Sequence, residues 1–217
     1  MKRVAIVLLL FFLLLTLLAA DSHEYVCKYC GLKFYSVASM NSSRCSKGPA
    51  GRHVLFDGDP DAKSFSCAYC GLKFYSLSSM GNSRCAKSPD GYHEPYAGNT
   101  NAKSYACAYC GLKFYSLSSL GNGSCAKSPD GYHHAYAGEA SSKNYVCRYC
   151  GLKYYSLSSM SNARCPNSAS GKHSPYDGNP DKTSFACKYC GLKFYSLSSM
   201  GRSSCSKSPD GHHDPQK

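Results

Sequence analysis

Cysteine and histidine recur along this chain at fixed distances. All 15 Cys and five of the eight His fall into one pattern, Cys-x2-Cys-x14-Cys-x7-His. The sets are Cys27, Cys30, Cys45 and His53; Cys67, Cys70, Cys85 and His93; Cys107, Cys110, Cys125 and His133; Cys147, Cys150, Cys165 and His173; and Cys187, Cys190, Cys205 and His213. Three thiolates and one imidazole complete a tetrahedral shell for Zn2+, with the short Cys-x2-Cys pair as one arm. The competing chemistry is a disulfide scaffold, which export would favour. Three cysteines per set leave one thiol over whichever two are joined, and the in-register histidine has no use in a disulfide. Iron–sulfur clusters prefer all-cysteine ligation. The pattern therefore predicts structural Zn2+, one per set and five in all.

These sets sit in a unit written five times with a period of 40 residues and no slippage. The repeats span 25–56, 65–96, 105–136, 145–176 and 185–217. The joining stretches, such as Asp57–Ser64 and Ala97–Ser104, are rich in Gly, Pro, Asn, Asp and Ser and read as flexible linkers. An internal period of this length marks a repeat architecture or an array, and linkers with nothing to stack on favour the array. A unit of ~30–40 residues is below the size that folds on apolar burial alone, so a metal is expected to organise each one.

Within a unit the neighbours of the ligands suggest the elements that position them. Gly31, Gly71, Gly111, Gly151 and Gly191 follow the second Cys, where a tight turn needs positive φ. Tyr25 and Phe34 flank the pair at strand-like spacing, which predicts a hairpin with the ligand pair at its tip. Ser36 is a helix N-cap ahead of an apolar pair. Gly81, Gly121 and Gly201, with Asn41 and Ser161 in the other copies, are placed to end that helix early. The histidine follows a turn sequence such as Ser88-Pro-Asp-Gly91, which aims it back at the metal.

The run Cys27-x2-Cys30-x3-Phe34-x5-Met40, with an aromatic two residues before the first Cys, resembles the front half of the two-Cys-two-His ββα zinc finger. The match recurs in every copy, with Tyr154 replacing Phe in the fourth. The back half departs from that family. Its first histidine comes three residues after the core Leu, whereas here Cys45 comes five after Met40 and His53 eight later. A two-residue shift is about 200° around a helix, so Cys45 and His53 belong on a loop after a short helix. The expected fold class is a small metal-stabilised α+β array: five tandem zinc-finger-like repeats, each a β-hairpin knuckle plus a short helix, joined by flexible linkers after an N-terminal signal peptide.

Met1-Lys2-Arg3 and the apolar run Val4–Ala20, interrupted only by Thr16, give residues 1–20 the layout of a secretory signal peptide or an N-terminal anchor. The remainder is expected to be secreted or extracytoplasmic, with a membrane partner only if the segment stays uncleaved.

Four ligands fill each shell, and no paired carboxylates, HExxH, Ser-His-Asp set or phosphate loop is present, so no enzyme is expected. The resemblance implies nucleic-acid binding as an alternative. Against it stand the export signal and near-identical Ser-rich helices that would read one triplet five times. Charge argues the same way: 23 basic and 13 acidic residues remain without Lys2 and Arg3, and a loaded site contributes −1, leaving about +5. Tyrosine points to a different partner. Tyr35, Tyr75, Tyr115, Tyr155 and Tyr195 alternate away from the core aromatic, each near a Lys such as Lys33 or Lys47, and form five aromatic faces. Such faces suit multivalent contact with a protein, polymer or surface. Tyr29, Tyr69, Tyr109, Tyr149 and Tyr189 lie inside the Cys pairs, and packing against the ligand loops is the competing expectation for the repeated tyrosines, the Tyr35 set included. The expected function is an exported zinc-binding interaction module, with extracytoplasmic zinc buffering as a further alternative. His23, His134 and His212 fall outside the register and read as solvated, with His134 and His212 able to exchange with their neighbours as ligands. The acidic residues, mostly in linkers, read as solubilising charge.

Overall fold

Each repeat begins with a hairpin because the Cys-x2-Cys pair and its glycine force the chain to reverse. The computed structural model describes residues 24–217; the signal or anchor reading of 1–20, and His23, lie outside the described residues. In repeat 1, strand β1 (Tyr25–Val26) pairs antiparallel with β2 (Lys33–Phe34), Tyr25 facing Phe34. Gly31 supplies φ 73° at the tip, where Gly31 N–H donates to the Cys27 carbonyl and Cys27 N–H to that of Leu32.

Ser36 then starts helix α1 (Val37–Asn41): its hydroxyl accepts from Ser39 N–H, and the Ser39 hydroxyl accepts in turn from Ser36 N–H, a reciprocal cap. The helix is one turn, too short to be stable by itself. It is held by Val37 and Met40, which are buried beneath the hairpin, each contributing ~1.5–3 kcal/mol by leaving water. The same elements recur as β3 (Phe65–Ser66), β4 (Lys73–Phe74) and α2 (Leu77–Met80); β5 (Tyr105–Ala106), β6 (Lys113–Phe114) and α3 (Leu117–Leu120); β7 (Tyr145–Val146), β8 (Lys153–Tyr154) and α4 (Leu157–Asn162); and β9 (Phe185–Ala186), β10 (Lys193–Phe194) and α5 (Leu197–Gly201).

The repeats are not separate beads. The stretches read as flexible linkers are ordered turns, with Asp59 Oδ1 accepting from Asp61 N–H at 3.0 Å and Asn99 Oδ1 from Asn101 N–H at 2.9 Å. The aromatic residue that precedes each join belongs to the core of the next repeat. Phe56 packs with Phe65, Leu77 and Met80; Tyr136 packs with Tyr145, Leu157 and Met160; and Tyr176 packs with Phe185, Leu197 and Met200. Each two-strand, one-turn unit thus borrows apolar surface from its predecessor, which is how a solenoid builds one core from units too small for their own.

A ladder of hydrogen bonds follows the same period. Tyr96 hydroxyl donates to the Tyr136 carbonyl at 2.9 Å, Tyr136 to Tyr176 at 3.2 Å and Tyr176 to Gln216 at 2.7 Å.

The chain closes on itself. Arg52 Nη1 donates to the Lys207 carbonyl at 2.8 Å, Lys217 N–H to Asp57 Oδ1 at 3.4 Å, and Tyr189 packs against the cluster of Cys27, Tyr29, Cys45 and Val54. The fifth repeat therefore meets the first, and the five form a ring. At its centre lies a polar cavity of about 140 Å3 to which all five repeats contribute, among them Lys28, Glu94, His134, Asp177 and Lys188.

The glycines expected to end the helix early do so: α2 and α3 stop at Met80 and Leu120 with Gly81 and Gly121 as their caps, and α5 ends at Gly201, but no left-handed residue is involved. Gly81 and Gly121 have ordinary helical φ of −70° and −75°. What they provide is room: a β-carbon would lie 1.9 Å from the Tyr29 carbonyl oxygen at Gly81, 1.5 Å from that of Tyr69 at Gly121, and 1.7 Å from that of Tyr149 at Gly201. The helix end of one repeat abuts the Cys-x2-Cys knuckle of the repeat before it, and only glycine allows that approach.

Candidate metal centres

Two short pairings place the last two ligands of each set. Cys45 N–H donates to the Gly51 carbonyl at 2.9 Å across the Arg44–Arg52 bridge, and Lys28 N–H donates to the Val54 carbonyl at 2.9 Å beside the Cys27–Leu55 bridge. The first brings Cys45 back from the helix end; the second ties the His53 segment to the hairpin. The Ser88–Gly91 turn does the expected work, with Gly91 at φ 74° and its N–H bonded to the Ser88 carbonyl at 3.2 Å. Cysteine and histidine thus sit on a loop after a one-turn helix.

In every repeat the four donor atoms lie within 4.8 Å of one another, giving five clusters, each able to hold one metal ion. Cys27 Sγ is 3.9 Å from Cys45 Sγ, a separation kept to within 0.1 Å in repeats 2 to 4, and Cys30 Sγ is 3.5 Å from His53 Nδ1, as are the equivalent atoms in every other repeat. A tetrahedral ion with ~2.3 Å bonds to sulfur and ~2.0 Å to nitrogen separates its ligands by about 3.5–3.8 Å. The imidazole presents Nδ1 to the cluster. Its outer nitrogen meets the Tyr154 hydroxyl at 2.9 Å in repeat 4, whereas in repeat 1 the ring meets the edge of Phe34, with centroids 4.9 Å apart.

The charges of the donors call for a cation. The Cys27 thiol is lowered to about 4 because Cys30 donates a hydrogen bond to its thiolate, with Cys30 and Tyr29 N–H and His53 assisting against burial. Cys30, the donor in that pair, is pushed far above the usual thiol range, and burial raises Cys70, Cys110 and Cys190 to about 12. Burial also raises Cys45, Cys85, Cys125 and Cys165. Left to themselves, three crowded sulfurs cannot all ionise; a divalent ion at their centre removes that obstacle. Burial lowers His93, His133 and His213, keeping them in the neutral form that ligates.

His134 and His212 are not interchangeable with their neighbours. His133 Nδ1 faces Cys110 and His213 Nδ1 faces Cys190. His134 turns away to Asp130, at 2.8 Å, and lies edge-on between the rings of Tyr69 and Tyr109. His212 occupies the bridge opposite Ser204.

The two tyrosine sets separate sharply. Tyr29 and Tyr69 are buried, and the remaining members of that set, Tyr109, Tyr149 and Tyr189, are half-buried. They pack across the junctions and not only on their own ligand loops: Tyr29 meets Tyr92 edge-on at 6.2 Å, and Tyr69 meets His134. Tyr35, Tyr75, Tyr115, Tyr155 and Tyr195 are 88–91% exposed, and Leu32, Leu72, Leu112, Leu152 and Leu192 are 56–60% exposed. Lys33, exposed beside Tyr35, pairs with Glu24. Lys47 is committed elsewhere, donating to Ser78 Oγ of the next repeat at 3.0 Å.

Several charges read as solubilising turn inward. Asp214 takes Lys188 of its own repeat and Arg148 Nε of repeat 4 at 3.1 Å, the latter a charge contact without hydrogen-bond alignment. Lys28 pairs with Glu94 across the first junction. The linker aromatics Phe56, Tyr96, Tyr136 and Tyr176 are the other residues that sequence reasoning passed over, though their 40-residue register was visible.

Comparison of the chain with family models, with curated proteins and with solved structures finds no match. The tandem Cys3His repeats, each a hairpin with a short helix, are zinc-finger-like in their own geometry. Among the described residues no helix is long and apolar enough to cross a membrane.

Proposed function

We propose that this protein is an exported, zinc-stabilised ring whose function is multivalent binding. Zinc is the ion that best suits three thiolates and one imidazole at tetrahedral spacing. Cys27, Cys30, Cys45 and His53, with their four counterpart sets, would hold it, and it would supply folding energy and no chemistry. A shell filled by four protein ligands leaves no position for an activated water, which favours a structural role over catalysis. Native mass spectrometry before and after chelation reads the ion's identity and number; the proposal requires five zinc ions and no disulfide mass.

The observation that carries the binding role is the near-complete exposure of Tyr35, Tyr75, Tyr115, Tyr155 and Tyr195 in a chain where no other described tyrosine is more than 37% exposed, the value for Tyr132. Exposed apolar side chains repeated at five equivalent positions are a surface feature that calls for a partner. Closure of the ring fixes their mutual spacing, so a polymer, surface or protein with repeated sites gains avidity from weak individual contacts. Nucleic-acid reading is a poorer fit. The helices are single turns, and their Ser78 and Ser158 faces are occupied by Lys47 and Lys127 of the preceding repeats. Replacing all five exposed tyrosines by serine should leave zinc content and melting unchanged and abolish retention on an immobilised polysaccharide or protein array. Unchanged retention would remove the reading.

A further inference from the structure

The ring has one junction unlike the other four. Where repeat 5 meets repeat 1, a groove of about 530 Å3 is lined by Asn41, Arg44, Arg52, Ser206 and Lys207 with neighbouring serines, and no acidic residue lines it. Two features of the sequence at this seam concentrate positive charge there without an acidic partner, and a third keeps the groove open.

The first is the Arg44–Arg52 bridge, which places two guanidinium side chains directly opposite each other on paired strands. Like charges so placed repel. In repeat 2 the counterpart of Arg44, Arg84, lies over the ring of Tyr92 at 4.1 Å, a contact that Arg52 cannot offer. The second is Lys207. Its counterparts reach into the following helix: Lys47 to Ser78, Lys87 to Asn122 and Lys127 to both Ser158 and Asn162, the last at 2.7 Å. In repeat 1 those partner positions are Ala38 and Ser42. Lys207 is accordingly exposed where Lys47, Lys87 and Lys127 are half-buried, and its ammonium makes no hydrogen bond among the described residues. The third is Asn41, which stands where Gly81, Gly121 and Gly201 allow close docking. The seam is slightly more open than the others: a β-carbon on Gly191 would lie 3.7 Å from the next helix, against 3.5 Å for Gly111 and Gly151, 3.3 Å for Gly31 and 2.9 Å for Gly71. Arg52 is fixed across this opening by its bond to the Lys207 carbonyl.

We propose that the seam groove is an anion-binding site that takes a tetrahedral oxyanion ester, a sulfate or phosphate monoester carried on a polar scaffold such as a sugar. Arg44 and Arg52 present planar donor forks suited to two oxygens of one anion, and Lys207 supplies the third charge. The volume lies within the range of about 300–1,000 Å3 of small-molecule sites and exceeds what a bare ion fills. The site is independent of the exposed tyrosines, and either can fail alone.

The test uses the full metal-loaded chain, titrated with inorganic sulfate, inorganic phosphate, glucose 6-sulfate and glucose 6-phosphate, and followed by side-chain resonances of arginine and lysine. The expected result is saturable binding of at least one sugar ester, tighter than its inorganic ion, with the ester preferred identifying the source. Lys207→Gln, which leaves the Arg52 tether intact, should weaken it at least tenfold. The pair Ala38→Ser and Ser42→Asn, which restores to Lys207 the partners its counterparts have, should weaken it similarly. The pair Arg164→Gln and Lys172→Gln, which removes the corresponding charges of repeat 4, should leave affinity unchanged. Each variant is compared only when it carries the full complement of metal. Absence of saturable binding, an inorganic ion bound as tightly as its ester, or equal loss in the repeat 4 variant would overturn the site.

Discussion

The carbonyl oxygen of Tyr69 lies 1.5 Å from the point where a β-carbon on residue 121 would sit. Gly121 is thus the contact point between a metal knuckle and the helix of the following repeat. Gly121→Ala forces that helix outward, and overpacking of this kind costs ~1–3 kcal/mol. In a chain of this size that lowers the melting temperature by several degrees. Metal content should stay at five ions per chain, because every ligand residue is kept and the strain is relieved by movement of the helix. Asn41 and Ser161 occupy the same position at two other junctions, so those two should accept alanine with little loss. Thermal melts of Gly121→Ala and Ser161→Ala make the comparison.

The tyrosine ladder is separable from the tyrosine packing. Tyr136 donates its hydroxyl to the Tyr176 carbonyl and also fills the core of repeat 4. Tyr136→Phe removes only the bond and should cost ~0.5–1.5 kcal/mol; Phe56 shows that the site accepts the ring without its hydroxyl. Tyr136→Ala removes the ring and should cost ~3–5 kcal/mol. Denaturant unfolding of the two variants distinguishes them.

The ligand sets were legible because metal chemistry demands particular atoms at particular spacings, and five copies leave little room for coincidence. The hairpin and the Ser36 cap were legible for a similar reason: both are local and depend on a few residues of special conformation. The ring was not. Phe56 and its counterparts read in the sequence as the last residues of their own repeats, and the Gly, Pro and Asp that follow make the joining stretches read as linkers with nothing to stack on. Yet Gly58 is small because the Phe56 ring folds over it, with a β-carbon there only 2.4 Å from a ring atom. Gly81 was legible as the helix end, but its second task was not, since a glycine needed for close approach and one needed for positive φ look alike in a sequence. Charges such as Asp214 looked solvated because their partners are distant in sequence: Lys188 faces it across the repeat 5 bridge, and Arg148 reaches it only when repeat 4 packs on repeat 5.

Shared cores make the metal sites interdependent. Cys125→Ser breaks the repeat 3 cluster and forfeits a binding energy of ~10–16 kcal/mol, typical of structural zinc. That exceeds what so small a unit holds in reserve. Native mass spectrometry should then report four ions. Hydrogen exchange should show lost protection in repeat 3 and also around Tyr145 and Leu157, because Tyr136 no longer covers them. Protection confined to its original level in repeat 4 would mean that the repeats fold as independent beads.

Two buried aspartates near the ring axis should respond oppositely to loss of charge. For Asp214, burial raises the carboxyl pKa, but Arg148 and Lys188 outweigh it and hold it below the usual carboxylate range. A depressed folded value means that the charge stabilises the ring above about pH 4 and that this contribution is lost as pH falls through the folded value. Its side chain is only 12% exposed, as is that of Lys188, so Asp214→Asn strands two buried cations at a cost of ~3–5 kcal/mol. For Asp177, burial is the larger effect and raises the pKa despite Arg148 and Lys217. A raised folded value has the opposite sign: its favourable contribution exists at low pH and is lost as pH rises through the folded value, so at neutral pH the charge opposes folding. Asp177→Asn should therefore hold or raise the melting temperature at pH 7, where Asp214→Asn lowers it by roughly 10 °C. The Asp214 share of the gap between the two variants should persist down to about pH 4 and shrink only below it, as the pH falls through the depressed folded value of Asp214.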